Sequence, residues 1–340
     1  MGRILVLFFL VTVIMIIAGV FFAIDQLIRL AWHSINVTFP GSGFPTLPYQ
    51  PLYLQWGGPL YRTVVVFFAV ALPGAIILQY LVDRFKGRAA PTTPLPLPFD
   101  VEKGPIVAVL TAYNDELSIG LAVDEFRSRP EISEVIVIDN NCVDGTARVA
   151  REHGATVIQE SRQGYGHACM AGLRYALERT PAAAIVLAEG DMTFFGDDIP
   201  KVLPYLHNVD MVVGTRATAT LTRPGSQIDW FLSWGNLFLA FLIRLRFWDW
   251  TFLGRVQLTD VGCTFRAIRR DALQRIIGQL DEGGDSFSPH MILVALREGL
   301  WMVEAPVQFR QRVGLSKGAG RNRSRAFRIG LEMVAQIAFF

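Results

Sequence analysis

Two carboxylates one residue apart, Glu189 and Asp191, close the apolar stretch Ala-Ile-Val-Leu-Ala at 184–188. In an open α/β sheet, ligands bind beyond the carboxyl ends of the strands, which is where such a pair falls. Two acids there cost desolvation and mutual repulsion unless a cation or hydrogen bonds offset them. On this stretch alone two readings stand: a divalent metal that holds a diphosphate, or a strand that ends in solvated acids. Asp139 directly follows another apolar run, 135–138, where its carboxylate can accept hydrogen bonds from a ribose or base rather than serve a solvated turn. Asp144-Gly145-Thr146 has a structural explanation, with Asp144 at or near a helix N-cap. Gly164-Tyr165-Gly166-His167-Ala168 is a glycine-rich turn that leads into a helix. Cys169 stands where a dinucleotide fingerprint needs its third glycine, and the turn does not follow the first strand, so a nicotinamide enzyme is disfavoured. The turn still lets backbone approach a nucleotide at a helix N-terminus. His167 reads as a packed or solvated histidine rather than a ligand.

The elements that must carry these residues alternate. Apolar runs at 106–110, 135–138, 156–158 and 185–188 predict buried strands. Helical spacing covers 117–127, 144–152 and about 167–179. Strand and helix in alternation predict an α/β domain with a mainly parallel sheet covered on both faces. The first strand runs into the polar cluster Thr111-Ala112-Tyr113-Asn114-Asp115-Glu116.

The chain has 340 residues, of which 51% are hydrophobic and 18% charged, with a mean hydropathy of +0.35. That is more apolar than a typical soluble domain. A formal charge of +2 argues against a nucleic-acid partner. Cys142, Cys169 and Cys263 form no Cys-x-x-Cys pair and read as reduced, mostly buried thiols.

Residues 4–24 form an almost unbroken apolar run of spanning length. The run is longer than a signal-peptide core and no small-x-small site precedes Asp25, so a retained helix is favoured. A second such run, 63–82, carries Pro73-Gly74 and predicts a kinked membrane helix. Arg3 precedes the first run and Arg84, Lys86 and Arg88 follow the second, whereas the connection carries only Arg29 and Arg62. The positive-inside rule then places the N-terminus and everything after Arg84 in the cytoplasm. The resulting organisation is a membrane helix in 1–33, an external loop at 34–61, a second membrane helix in 62–88, a proline-rich linker at 89–103, an α/β domain at 104–320 and a basic, apolar, membrane-associated segment at 321–340. The aromatic-rich stretch 230–250 predicts a helix lying in the headgroup region. Lys317, Arg321, Arg323, Arg325 and Arg328 form a basic cluster suited to anionic lipid heads. The apolar stretch 329–340 is too short to span and reads as an interfacial helix or the start of a span.

With these residues placed, 104–317 resembles a family-2 glycosyltransferase of GT-A fold, and more narrowly the dolichol- or polyprenyl-phosphate sugar synthases. Tyr113-Asn114-Asp115-Glu116 resembles the family's opening Tyr-Asn-Glu-Glu. Asp139-Asn140-Asn141 with Asp144-Gly145-Thr146 resembles its Asp-Asp-Gly-Ser-x-Asp-Gly-Thr segment, and Arg162 to Ala168 its Asn-x-Gly-Lys-Gly-x-Ala turn, with Tyr165 replacing the lysine. Glu189-Gly190-Asp191 falls on Asp-x-Asp, with Thr193 where some relatives carry a Gln. Val213-Gly214-Thr215-Arg216, Ser233-x-Gly235-Asn236 and Asp260 to Arg266 resemble later motifs in order. Glu304-Ala305-Pro306-Val307 and Arg312-Val313-Gly314-Leu315-Ser316-Lys317 resemble the closing pair.

The resemblance implies a nucleotide site at Thr111, Ala112, Tyr113, Glu116, Asp139, Gly164, Gly166, Glu189 and Gly190. It implies Mg2+ or Mn2+ on Asp191 and Glu189, with Asp191 the safer ligand. Catalysis would rest on Asp191, Arg216, Asp260, Arg312 and Lys317, and the acceptor phosphate on Arg216, Ser233, Arg312, Ser316 and Lys317. The implied reaction is inverting transfer of a sugar from a nucleoside diphosphate, UDP first and GDP second, to a polyprenyl phosphate at the bilayer. A lipid phosphate is already ionised at neutral pH, so no general base is required. A processive synthase is a second reading, although its Gln-x-x-Arg-Trp motif is missing from the sequence. A membrane-tethered scaffold that binds nucleotide sugar without turnover is a third.

Overall fold

A computed structural model describes residues 104–223, 226, 228–247, 257–314 and 323–340. Both proposed membrane helices, the external loop and the whole linker, together with Ser316 and Lys317, lie outside these residues. Among the described residues, no helix is long and apolar enough to cross a membrane.

The first half follows the apolar runs closely. Strand β1 (Ile106–Ala112) leads to helix α1 (Glu116–Arg127), β2 (Ile132–Asp139) to α2 (Thr146–Glu152), and β3 (Thr156–Gln159) to α3 (Tyr165–Arg179). Strand β4 (Ala184–Glu189) follows, then a single helical turn α4 (Ile199–Val202) and β5 (Met211–Thr215). The second half comprises α5 (Trp230–Arg246), β6 (Arg266–Arg269), α6 (Arg270–Ile276), α7 (Phe287–Arg297), β7 (Met302–Pro306) and α8 (Arg323–Phe339).

The seven strands make one sheet in the order β3-β2-β1-β4-β6-β5-β7. β6 runs antiparallel to both β4 and β5, and the other pairings are parallel. All seven residues of β1 are buried, as expected for a strand covered on both faces. Side chains alternate across a strand, so Ile106, Ala108, Leu110 and Ala112 face one layer. There they join Ile119, Ala122, Val123 and Phe126 of α1 in one core. On the other face, Val109 of β1 and Ile138 of β2 lie against α3 at Gly172.

This register positions the site. β1 pairs Thr111 with Glu189 of β4 and Ala112 with Asp139 of β2, so three strands end at one edge of the sheet. The loops leaving it hold left-handed residues at Asn114 (φ 52°), Asn141 (φ 60°) and Met192 (φ 68°). Such backbone is tolerated by Asn and costs more at Met.

Helix α5 is capped by Asp229, whose side chain accepts a 2.9 Å hydrogen bond from the Leu232 N–H. It buries Leu239, Ala240, Leu242 and Ile243 while Trp230, Trp234, Leu237, Phe238 and Phe241 remain exposed. These five lie at helical spacing and form one apolar stripe, four of them aromatic. The stretch is therefore a packed helix with an apolar outer face.

Candidate active site

Two clefts open at the carboxyl edge of the sheet. The first, about 310 Å³, is lined by Thr111, Ala112, Tyr113, Asp115, Asn140, Gln163, Tyr165, Glu189, Thr264 and Arg312, among others. The second, about 450 Å³, is lined by residues including Arg216, Arg223, Asp229, Trp230, Ser233, Asn236, Leu237, Thr259 and Asp260. Gly262 lines the first cleft, donates its N–H to Asn236 Oδ1 at 3.0 Å, and lies where a Cβ would come within 3.4 Å of Arg216 Nη2. The two clefts thus meet at a single glycine.

In the first cleft, Asp191 is 1% exposed. Its Oδ1 accepts from the Thr193 N–H at 3.0 Å and the Thr193 hydroxyl at 2.6 Å. Arg312 Nη1 lies 3.3 Å from Asp191 Oδ2, and Arg312 Nη2 donates to Asp115 Oδ1 at 3.0 Å. Backbone pairing fixes this contact: the Arg310 N–H donates to the Thr193 carbonyl and the Val313 N–H to that of Asp191. Arg310 braces the same loop, with Nη2 bonded to Glu125 Oε2 of α1 at 2.5 Å and its guanidinium 3.9 Å from the Phe195 ring. Burial, and then the charge of Asp191, push the Glu189 carboxyl up to about 8. Burial opposes the charge of Arg312, but Asp191, Asp115 and Glu189 together hold its pKa above the usual value. The guanidinium thus neutralises an acid cluster that repels itself.

In the second cleft, Asp260 grips Arg216 in a bidentate pair, Nε to Oδ2 at 2.7 Å and Nη2 to Oδ1 at 2.8 Å, and also accepts the Arg216 N–H at 3.0 Å. Burial opposes the Arg216 charge and Asp260 raises its pKa in return. Ser233 is exposed in the first turn of α5, its hydroxyl donating to the Asp229 carbonyl at 2.9 Å.

Several expected positions take different roles. Glu116 turns to Arg148 of α2 at 3.2 Å, while the neighbouring Asp115, 6% exposed, enters the first cleft. Asp115 precedes α1, and it is the helix start that selects which acid of the pair points inward. Asp139 is 8% exposed and accepts the Cys142 N–H at 2.8 Å, while Asn140 beside it lines the cleft. Asn140 binds the Glu160 and Arg162 carbonyls and accepts the Gly164 N–H at 2.9 Å, tying β2 to the glycine turn. That turn packs on chain. A Cβ on Gly166 would sit 2.1 Å from the Glu282 carbonyl oxygen, and one on Gly164 would sit 2.3 Å from that of Gly283. Gly190 donates its N–H to the Thr111 carbonyl at 2.9 Å. Tyr165, at the expected lysine position, lines the first cleft and meets the Phe287 ring edge-on at 6.2 Å. Arg312 lines the first cleft and Arg216 the second. Asp115, Asn140 and Gln163 lie within the motifs quoted above but were not singled out as site residues, and Thr264, in the segment between α5 and β6, was not singled out either.

A sheet of this order, with an acid pair at one strand end and an arginine cleft beside it, is the GT-A-like architecture of sugar-transferring enzymes. The chain belongs to glycosyl transferase family 2, whose profile matches residues 107–277. It is similar to an undecaprenyl-phosphate mannosyltransferase of Micrococcus luteus, with 27% identity over 63% of this chain and 88% of the relative. A polyprenol monophosphomannose synthase of Mycolicibacterium smegmatis is 25% identical over 64% of this chain and 82% of that protein. In fold, the chain matches glucosyl-3-phosphoglycerate synthase from Mycobacterium tuberculosis, a structure containing Mn2+, UDP and phosphoglyceric acid. The TM-score is 0.53 at 17% identity, over 72% of this chain and 87% of that one.

Proposed function

We propose that this glycosyltransferase moves a sugar from a nucleoside diphosphate to a polyprenyl phosphate, with inversion at the anomeric carbon. The observation that carries the reading is the pair of clefts meeting at Gly262, one acidic and one bearing Arg216. The first would take the donor, with Tyr113, Asn140 and Gln163 toward the nucleoside and Glu189 and Asp191 toward the diphosphate. The second would take the acceptor phosphate, which guanidinium matches in planar geometry. Trp230 and Leu237 belong both to the second cleft and to the exposed stripe of α5, so a prenyl tail on that stripe would carry its phosphate to Arg216.

The acid pair suits a hard cation. Among the described residues, no group of three His, Cys, Asp or Glu side chains forms a closed cage. Mg2+ commonly takes one or two carboxylates and completes its shell with substrate phosphates and water. Burial and then repulsion from Asp191 raise the Glu189 pKa, and such an ion would offset both by favouring the charged form. Asp191 and Glu189 would hold it, and when bound it would neutralise charge on the departing diphosphate. Arg312, held between Asp115 and Asp191, stands ready to turn toward the same phosphates.

The two membrane helices within 1–33 and 62–88, a cytoplasmic catalytic face and an interfacial C-terminal segment complete the proposal. The names of the two bacterial relatives make mannose the first sugar to try. The test is transfer from radiolabelled UDP- and GDP-sugars to undecaprenyl and dolichyl phosphate, with and without EDTA. A lipid-linked product that disappears with EDTA is expected. Nucleotide-sugar binding without any lipid-linked product would refute the transferase assignment.

A further inference from the structure

The second cleft owes its shape to a carboxylate that does not line it. Glu304 lies on β7, paired in register with Val213 of β5, two residues before the strand ends at Thr215. Its two oxygens accept three donors, through four contacts, from one short segment. The Thr259 N–H lies 2.9 Å from both oxygens, the Thr259 hydroxyl 2.6 Å from Oε2, and the Asp260 N–H 2.8 Å from Oε1. Thr259 also meets the Thr215 hydroxyl at 2.9 Å. The next residue is Asp260, 3% exposed, whose carboxylate holds Arg216 through two side-chain bonds and one backbone bond. An unbroken chain of contacts therefore runs from Glu304 through Thr259 and Asp260 to the guanidinium of Arg216, which lines the cleft.

We infer that Glu304 is a positioning residue for the acceptor: it fixes the 259–260 segment so that Asp260 presents Arg216 to an anionic phosphate group. The inference rests on the acceptor reading of the second cleft. The physical reason is one of order. Arg216 alone is a long side chain with several rotamers, and holding it in one of them without substrate lowers the entropy cost of binding. Asp260 supplies that hold only if its own backbone is fixed. No helix or strand fixes residues 259 and 260, so the half-buried carboxylate of Glu304 takes that role with charge-assisted hydrogen bonds. Gln cannot replace it, because its NH2 group would face N–H donors where an acceptor is needed.

The test uses the full chain in detergent micelles and compares wild type with Glu304→Gln. Kinetics are run with donor and acceptor varied separately. Binding of a short-chain prenyl phosphate and of UDP is measured by calorimetry, without turnover. Glu304→Gln is expected to raise KM and Kd for the prenyl phosphate by roughly tenfold or more, the scale seen when a group that orients a ligand-binding side chain is lost. UDP affinity and donor KM should stay within about twofold. Unchanged acceptor constants in the folded variant, or equal losses for donor and acceptor, would overturn the assignment. If Glu304→Gln does not fold, Thr259→Val decides. It removes the hydroxyl link and keeps both backbone N–H groups, so it should weaken the acceptor alone, by a smaller factor, and an unchanged acceptor constant overturns the assignment. A wild-type chain that binds prenyl phosphate but transfers no sugar overturns the transferase reading and leaves Glu304 to the binding measurements. A wild type that binds no prenyl phosphate overturns both.

Discussion

Arg312→Met is the substitution whose consequence follows most directly from the geometry. The guanidinium lies 3.0 Å from Asp115 and 3.3 Å from Asp191, and these carboxylates are 6% and 1% exposed. At an effective dielectric of about 20, each contact is worth about 5 kcal/mol before desolvation is subtracted. Removing one partner of a buried ion pair costs about 3–5 kcal/mol net, because the remaining charge stays buried. Here the loss falls near the lower end. Asp191 keeps both hydrogen bonds from Thr193, and Asp115 keeps the Tyr113 N–H at 2.9 Å. A loss of about 3 kcal/mol in a unit of this size lowers Tm by roughly 6–12 °C. Scanning fluorimetry of the detergent-solubilised chain, without added divalent cations, measures it. The decisive arm is the double variant Arg312→Met, Asp115→Asn. Removing one of the two repelling carboxylates should return about 1–2 kcal/mol, so the double variant should be more stable than Arg312→Met alone. Additive losses, with the double variant the less stable, would show that the acids do not share the guanidinium and would refute the account of the first cleft.

Asp191→Ala should abolish sugar transfer while the protein remains folded, because Arg312 keeps its contact with Asp115; turnover near wild type in that variant would mean the site has been misplaced. Gly166→Ala brings a Cβ to 2.1 Å from the Glu282 carbonyl oxygen. The turn must then part from 282–284, at a cost of about 1–3 kcal/mol, visible as faster hydrogen exchange at the N–H groups of residues 166 and 167, which donate to the Gly284 and Gly283 carbonyls. His290 gives a pH signature: burial lowers its pKa from 6.5 although Asp281 opposes the shift. The unfolded chain therefore takes up the proton first, so stability falls as pH drops below 6.5 toward the folded value. His290→Gln should flatten that slope in pH-dependent denaturation, and an unchanged slope would exclude His290 as its source.

The sequence alone was enough for the first half of the sheet. The runs that become β1, β2, β3 and β4 are continuous aliphatic segments bounded by polar clusters, and a strand buried on both faces has that signature whatever packs on it. Because these strands are parallel and in register, acids written at their ends had to gather at one edge, and Glu189 and Asp191 do so at β4. The order of motifs also sufficed to name the family, through residues local to each loop.

What tertiary structure decided is whatever depends on partners distant in the chain. Asp115 rather than Glu116 faces the cleft because α1 starts between them and Arg312 arrives from 197 residues away. The glycines at 164 and 166 pack closely against the carbonyls of Gly283 and Glu282, a contact that no local sequence pattern reports. Strand β6 enters antiparallel between β4 and β5 after a long excursion, which no local periodicity reports. Arg216 is fixed by Asp260, 44 residues on, and Asp260 in turn by Glu304, 44 residues further. Hydrophobic pattern is local and legible in one dimension, whereas the pairing of buried charges is set by which side chains the fold brings within about 3 Å of one another.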